Sequence, residues 1–409
     1  TMGIVETLLK RGHRVRVLSD ETTRQEIDNA GGAFVSWRSA PVFGGEEERG
    51  FGDWALPNFQ EVMRQLLVPL SCNAAGGFAR DVIAEIDRQR PDLVVNFDMM
   101  LGPITGCEAR GVPVVNLMTA IAHAPFPLPG QPPFGMGLAP PKTSAEQAEQ
   151  ERIAREYNAI LDSGLDALNA TRAELGLKPL AHVADQERTL SMRFLGTAQA
   201  FDFAPDPLPP KIRYVGPLIR DPVWAQQWQS PWPASDKRPL IVVGFSTSFQ
   251  NHVACLQRVI DACAELPVRA LVTLGPALRK GELEARANTQ IVESAPHDIV
   301  MREAALVVNH GGHGTVMTAL MHRLPQLILP HGRDQGDNAV RITERSAGLS
   351  VPNTASTEEM RAALLRLLNE PSFAAGARKL GDAVAREVEH STLITDLEAL
   401  ATQGPRDAA

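Results

Sequence analysis

Residues Ala305–Gln335 read ALVVNHGGHGTVMTALMHRLPQLILPHGRDQ. ALVVN is apolar enough for a buried strand. HGGHGT is a glycine-rich turn opening a helix, and QLIL is a second apolar strand leading to the acid–amide pair Asp334-Gln335. Such a turn exposes backbone N–H groups at a helix N-terminus, where they can hold a phosphate without a metal ion. An acceptor-only carboxylate beside an amide that both donates and accepts suits sugar hydroxyls. The stretch predicts a nucleotide-sugar site on an α/β scaffold.

Outward from it, the same alternation repeats. Leu240–Gly244, Val268–Leu274 and Gln290–Val292 are further apolar strands, and helices are expected between them and near 357–369 and 371–389. In the first half, His13–Ser19, Pro91–Phe97 and Pro113–Met118 read as strands, with helices over 60–90, near 102–110 and over 144–175. Continuous apolar strands alternating with helices imply parallel sheets covered on both faces. Ala122–Pro141 carries too much proline and glycine for regular structure, and residues 205–239 are a proline-rich boundary that includes Trp224, Trp228 and Trp232. The expected layout is a first domain over 1–210, a linker over 211–235, a second domain over 236–385, and a tail over 386–409 packing back on the first. The opening helix of Met2, Val5, Leu8 and Leu9, closed by Lys10-Arg11-Gly12, would normally follow a strand, so one strand and one loop are expected before Thr1.

The 409 residues exceed one ordinary core, which fits two domains. A net charge of -8 gives no reason to expect a nucleic-acid partner. The four cysteines, Cys72, Cys107, Cys255 and Cys263, lack CxxC spacing and read as buried thiols of a cytoplasmic protein. No apolar run reaches the roughly 18 residues of a membrane span. GFSTS at Gly244–Ser248 falls short of a nucleophile elbow because Ser248 replaces its last glycine. GMG at Gly135–Gly137 follows proline and phenylalanine, so it is no dinucleotide turn.

The ordering of these pieces resembles the inverting family 1 glycosyltransferases, the group of antibiotic, macrolide and UDP-glycosyl transfer. The resemblance covers nearly the whole chain and is strongest over 295–348. It is carried by APHD at 295–298, NHGGHGT at 309–315, LPQLILPHGRDQGDNAVR ending at Arg341, and Ala347-Gly348. It implies the GT-B fold: two facing Rossmann-like domains with the donor bound mainly by the second. It implies transfer of a sugar from a UDP- or TDP-sugar to a hydroxyl of a small apolar or aromatic acceptor, by a monomer or homodimer without cofactor or metal.

Position by position, the resemblance gives His310, Gly312, His313, Gly314 and Thr315 to the diphosphate, and Asp334 and Gln335 to the donor sugar. It gives His297 to the base or ribose, and Ser246, Thr247 and Ser248 to a hydroxyl-rich loop near the phosphates. Ser294 stands where plant members carry a stacking Trp, which leaves the base open. Asp98 matches the carboxylate that orients the catalytic histidine, and that histidine would fall a few residues before Thr1. His13 matches a structural position. The loop after the next strand would face the acceptor, with His123, Phe126, Leu128 and Phe134 as an apolar wall; a surface loop pinned by prolines fits the same residues. Asp98 also reads as a helix cap. Two other functions fit the fold: a non-catalytic sugar-nucleotide-binding or auxiliary partner, and a sugar-nucleotide epimerase.

Overall fold

The apolar runs form parallel sheets. The computed structural model describes residues 2–41, 52–219, 229–246 and 248–402; Thr247, Trp224 and Trp228 lie outside them. The first half runs α1 (Met2–Lys10), β1 (Arg16–Ser19), α2 (Arg24–Asn29), β2 (Ala33–Ser36), α3 (Phe59–Val62), α4 (Ala75–Arg88), β3 (Val94–Phe97), α5 (Leu101–Ala109), β4 (Val114–Met118), α6 (Ser144–Asp162), α7 (Leu165–Glu174), β5 (Met192–Leu195) and β6 (Ile212–Tyr214). The second runs β7 (Leu240–Gly244), α8 (Val253–Ala264), β8 (Arg269–Thr273), β9 (Thr289–Val292), α9 (His297–Val300), β10 (Ala304–Asn309), α10 (His313–Met321), β11 (Gln326–Ile328), α11 (Gln335–Glu344), β12 (Gly348–Ser350), α12 (Thr357–Asn369), α13 (Pro371–Glu389) and α14 (Leu393–Thr402).

The first half holds a four-stranded parallel sheet, β3-β4-β5-β6, and a separate parallel pair, β1-β2. Among the described residues β1 and β3 do not pair. The helix expected over 60–90 is not uniform. Between α3 and α4 the chain passes through two wider turns, Met63–Leu67 and Pro69–Asn73, with Pro69 unable to donate the bond a regular helix needs. Gly102 lets α5 lie directly on α4, since a Cβ there would collide with the carbonyl of Ala75. Ile212–Tyr214, inside the 211–235 stretch, extends the first sheet by pairing with β5.

The second half is one six-stranded parallel sheet ordered β12-β11-β10-β7-β8-β9. Its β7 strand, LIVVG, is buried at all five positions, as a central strand with both faces covered must be. The chain leaves β7 towards β8 and β9, then returns to β10 on the other side. The switch point therefore lies between β7 and β10, where ligands bind outside the C-terminal strand ends. The HGGHGT turn follows β10 and the Ser246–Ser248 loop follows β7, so both stand at that point. α14 returns to the first half: Leu393, Leu397 and Leu400 pack with Ile4, Val115, Leu117 and Phe194, while Glu398 accepts from Arg11 and meets His13.

Candidate functional site

The turn after β10 is built by buried amides. Asn309 Oδ1 accepts the Gly311 N–H at 2.7 Å, and its Nδ2 donates to Gln326 Oε1 at 2.9 Å. Asn338 Nδ2 donates to the Gly311 carbonyl at 2.8 Å. Gly311 sits at φ 94°, and a Cβ there would meet the Gln335 carbonyl at 2.7 Å, so only glycine fits. Gly312 is the N-cap of α10, and no side chain caps the helix. Gly314 in the first turn is exposed, with open space where its Cβ would stand. The turn thus presents an uncapped helix N-terminus to open space, with the positive end of the helix dipole behind it.

Three imidazoles, His252, His310 and His331, surround the ring of Phe245, with centroid distances of 5.9, 6.0 and 5.6 Å. Burial, reinforced by their mutual repulsion, lowers His310 to about 3 and His252 to about 4. His310 is therefore neutral at physiological pH, and its Nε2 lies over Gly312. A cavity of about 550 Å³ opens beyond the ends of β8 and β9, lined by Leu274, Leu283, Ile291, Val292, Glu293 and Ser294 among others.

Across from the turn, Asp98 ends β3 at φ 45°, a conformation Asp and Asn tolerate better than most residues. Its Oδ1 accepts the Thr119 N–H at 3.0 Å and its Oδ2 the Thr119 hydroxyl at 3.3 Å. His123 Nε2 stands 3.7 Å from Asp98 Oδ1, and its Nδ1 is 2.7 Å from the Ala124 carbonyl. Burial alone would lower this imidazole. Asp98 outweighs it, helped by the Ala124 carbonyl and by Asp334 from the second half, and the His123 pKa is raised. Asp334 is partly buried at the start of α11, where its Oδ2 accepts Asn338 Nδ2 at 2.7 Å.

The halves are joined by polar side chains that the sequence does not mark as special. Arg341 on α11 pairs with Asp202 at 2.7 Å, and the two side chains are 3% and 0% exposed. Tyr214 and Gln131 donate to the other Asp202 oxygen at 2.7 and 2.8 Å. Burial pushes the Asp202 carboxyl up, but Arg341 and these donors pull it below the ordinary range. Glu387 on α13 accepts the N–H groups of Gln199 and Ala200. Arg333 makes a two-pronged pair with Asp53 and also donates to Ser248 Oγ at 2.9 Å. Asp337 on α11 accepts the N–H groups of Gly135 and Gly137 at 2.6 and 2.9 Å, and burial pushes its carboxyl up to about 6.

Residues 257–400 match the model of the erythromycin biosynthesis protein CIII-like C-terminal domain. The chain is 26% identical over 404 residues to 4'-demethylrebeccamycin synthase of Lentzea aerocolonigenes, covering 93% of this chain and 91% of that one. It is 25% identical over 406 residues to demethyllactenocin mycarosyltransferase of Streptomyces fradiae, covering 94% and 80%. The fold superposes on the glycotransferase of kitacinnamycin with a TM-score of 0.75 at 16% identity, over 98% of this chain and 94% of that one. The chain is a glycosyltransferase. Its fold is GT-B, like that of its structural neighbours.

The transferase sets His123 beside Asp98 and, through Asn338, Asp334 beside the turn at Gly311, but several residues read as ligand contacts do other things. Phe126 is 0% exposed and Leu128 3%; both are in the core of the first half, so neither lines an acceptor wall. Proline-rich sequence looks like surface, but here Arg193 reaches up from β5 to the Phe126 carbonyl and draws the loop inward. Phe134 does face the cleft region, packing against His123 at 5.2 Å and Phe59 at 5.4 Å. Gln335 is 1% exposed, and both ends of its amide are engaged, donating to Gln250 and accepting the His331 N–H. It braces the loops that carry Gln250 and His331 against one another. His313 is buried, with its Nε2 3.2 Å from the Gly196 carbonyl, which pins α10 to the first half. Burial lowers its pKa.

His297 lies against Gly244 at the end of β7, within 3.3 Å of where a Cβ would stand. Ser246 and Ser248 bond to one another, and Thr247 between them is outside the described residues. Asp202, Arg333, Asp337 and Arg341 of this transferase were missed by sequence reasoning. In DQGDNAVR the charges of Asp337 and Arg341 resemble the solvated face of a helix, and only the opposite half shows that they are buried.

Proposed function

We propose that the cleft transfers a sugar from a UDP- or TDP-sugar to a hydroxyl of a small apolar acceptor, with inversion and without a metal ion. The observation that carries this reading is the uncapped N-terminus of α10 at the switch point of the second sheet, its turn held open by Asn309 and Asn338, with Asn338 also holding Asp334. The structural neighbours include a glycosyltransferase solved in complex with DTDP, with a TM-score of 0.68 at 19% identity.

In this reading the diphosphate sits on the N–H groups of Gly312–Thr315, with neutral His310 donating beside them. Negative charge grows on the leaving diphosphate in the transition state, and fixed donors in a dry cleft stabilise it there. This is the role a divalent cation plays elsewhere, which supports the metal-free form of the reaction. The base and ribose lie toward Ser294 and His297. Asp334 accepts from hydroxyls of the donor sugar through its oxygen not held by Asn338.

An acceptor hydroxyl has a pKa far above 7, so a base must take its proton as it attacks the anomeric carbon. Asp98 orients that base and steadies the imidazolium that forms. The resemblance gives the base as a histidine from the loop leading into α1. His123 stands beside the same carboxylate, with its Nε2 3.7 Å from Asp98 Oδ1 and its Nδ1 2.7 Å from the Ala124 carbonyl, and so lines the acceptor side of the cleft.

Incubation of the protein with UDP- and TDP-sugars and a phenolic panel should give glycoside and free nucleoside diphosphate in equal amounts. Asp334→Ala should lower donor-sugar use roughly 10- to 100-fold and leave nucleoside diphosphate affinity within about 3-fold, the cost of leaving sugar hydroxyls unpaired. Diphosphate release without glycoside would contradict the transfer, and an equal loss of both donor measures would contradict the role of Asp334.

A further inference from the structure

The GMG of Gly135–Gly137 fits no dinucleotide turn, yet both of its glycines are required. Gly135 lies at φ 81°, and a Cβ there would strike the Phe59 ring at 2.6 Å. Gly137 lies at φ 63°, with the backbone of Gly336 3.3 Å from where its Cβ would stand. Between Phe59 of the first half and α11 of the second, the loop has room for backbone only. Its two N–H groups converge on one carboxylate, Asp337, which is 2% exposed. The residue before them, Phe134, packs on His123 and against the cluster that joins Ile121, Ala198 and Phe201 of the first half to Val316, Ile328 and Ala339 of the second. Asp337 lies one helical turn from Asp334, on the same face of α11.

We propose that Asp337 is a positioning residue that couples the donor helix to the acceptor wall. Its carboxylate fixes the Phe134–Gly137 loop on α11 and so sets where an acceptor lies against His123. This rests on the reading of the cleft as a transfer site. A shift of α11 when a donor sugar binds Asp334 passes through Asp337 to Phe134, so the acceptor site is completed from the donor side. A carboxylate accepting two backbone N–H groups holds that loop more firmly than a neutral acceptor could.

Asp337→Asn keeps the size and one acceptor oxygen; Asp337→Ala removes both. The acceptor KM should rise roughly 3-fold in the first and roughly 10- to 30-fold in the second, from one or two lost charge-assisted bonds. The Kd for UDP and TDP should stay within about 2-fold in both. An unchanged acceptor KM, or an equal rise in diphosphate Kd, would overturn the coupling. Should a variant fail to fold, hydrogen exchange in the wild-type protein decides. The Gly135 and Gly137 amides should exchange at least roughly 100-fold slower than an open loop, and exchange at open-loop rates would overturn the proposal. A wild-type protein that binds neither UDP nor TDP would overturn the reading of the cleft itself, a result distinct from these.

Discussion

Asp98→Asn is expected to lower turnover roughly 100- to 10,000-fold, the range lost when a base loses the group that orients and charges it. The fold should not suffer. Asn is among the residues that best accept a positive φ, and its Oδ1 can still take the Thr119 N–H that Asp98 Oδ1 takes at 3.0 Å. What disappears is the negative charge. The affinity for UDP or TDP should stay within about 3-fold, because Asp98 acts on the base and not on the donor. The His123 imidazole should titrate at lower pH, since the charge that raises it is gone. Steady-state kinetics and an NMR titration of His123 check both. Turnover within about 3-fold of wild type would remove Asp98 from the mechanism.

Asp202→Ala is expected to cost about 3–5 kcal/mol of stability. The substitution leaves the Arg341 guanidinium, 3% exposed, without its partner carboxylate, and leaves the Tyr214 hydroxyl without its acceptor. A buried charge without compensation is far costlier than the pair is favourable. The double change Asp202→Ala with Arg341→Met should therefore recover most of the loss. The pH dependence has a definite sign. Asp202 titrates below its ordinary value in the folded protein, so its contribution is present above an unfolded pKa of about 3.9 and fades as pH falls through the folded one. The double variant should lose that acid-sensitive part. Urea melts of the three proteins at pH 7 and at about pH 2 measure this. A single variant within about 1 kcal/mol of wild type would show that the pair does not hold the halves together.

The strands of the second half were legible in the sequence because LIVVG, RALVT and AALVVN are buried on both faces and read as unbroken apolar runs. Helices α12 and α13 were legible for a different reason. Ser356 with Glu359 signals the start of one, and Pro371 that of the other. β2 was missed because AFVS is only partly buried, and β6 because three residues inside a proline-rich stretch carry no period. The turn at 309–315 was found because glycine and asparagine spacing is dictated locally by the backbone. Phe126 and Gln335 were misplaced because their surroundings are set by Arg193 and Gln250, residues distant in sequence. The contacts between halves were invisible for the same reason: a carboxylate on a helix looks the same whether water or another backbone faces it.

The most direct test of the account is a calorimetric titration of UDP and TDP against wild-type protein and Gly314→Glu. Gly314 stands in the first turn of α10, at ordinary helical backbone angles, with open space where a side chain would go. An acidic side chain in that turn favours the helix, so the protein should melt no lower than wild type. It would place a negative charge in the proposed seat of the diphosphate. The Kd should rise at least about 30-fold for both nucleotides, about 2 kcal/mol of lost binding. An unchanged Kd in a folded Gly314→Glu protein would show that the diphosphate binds elsewhere.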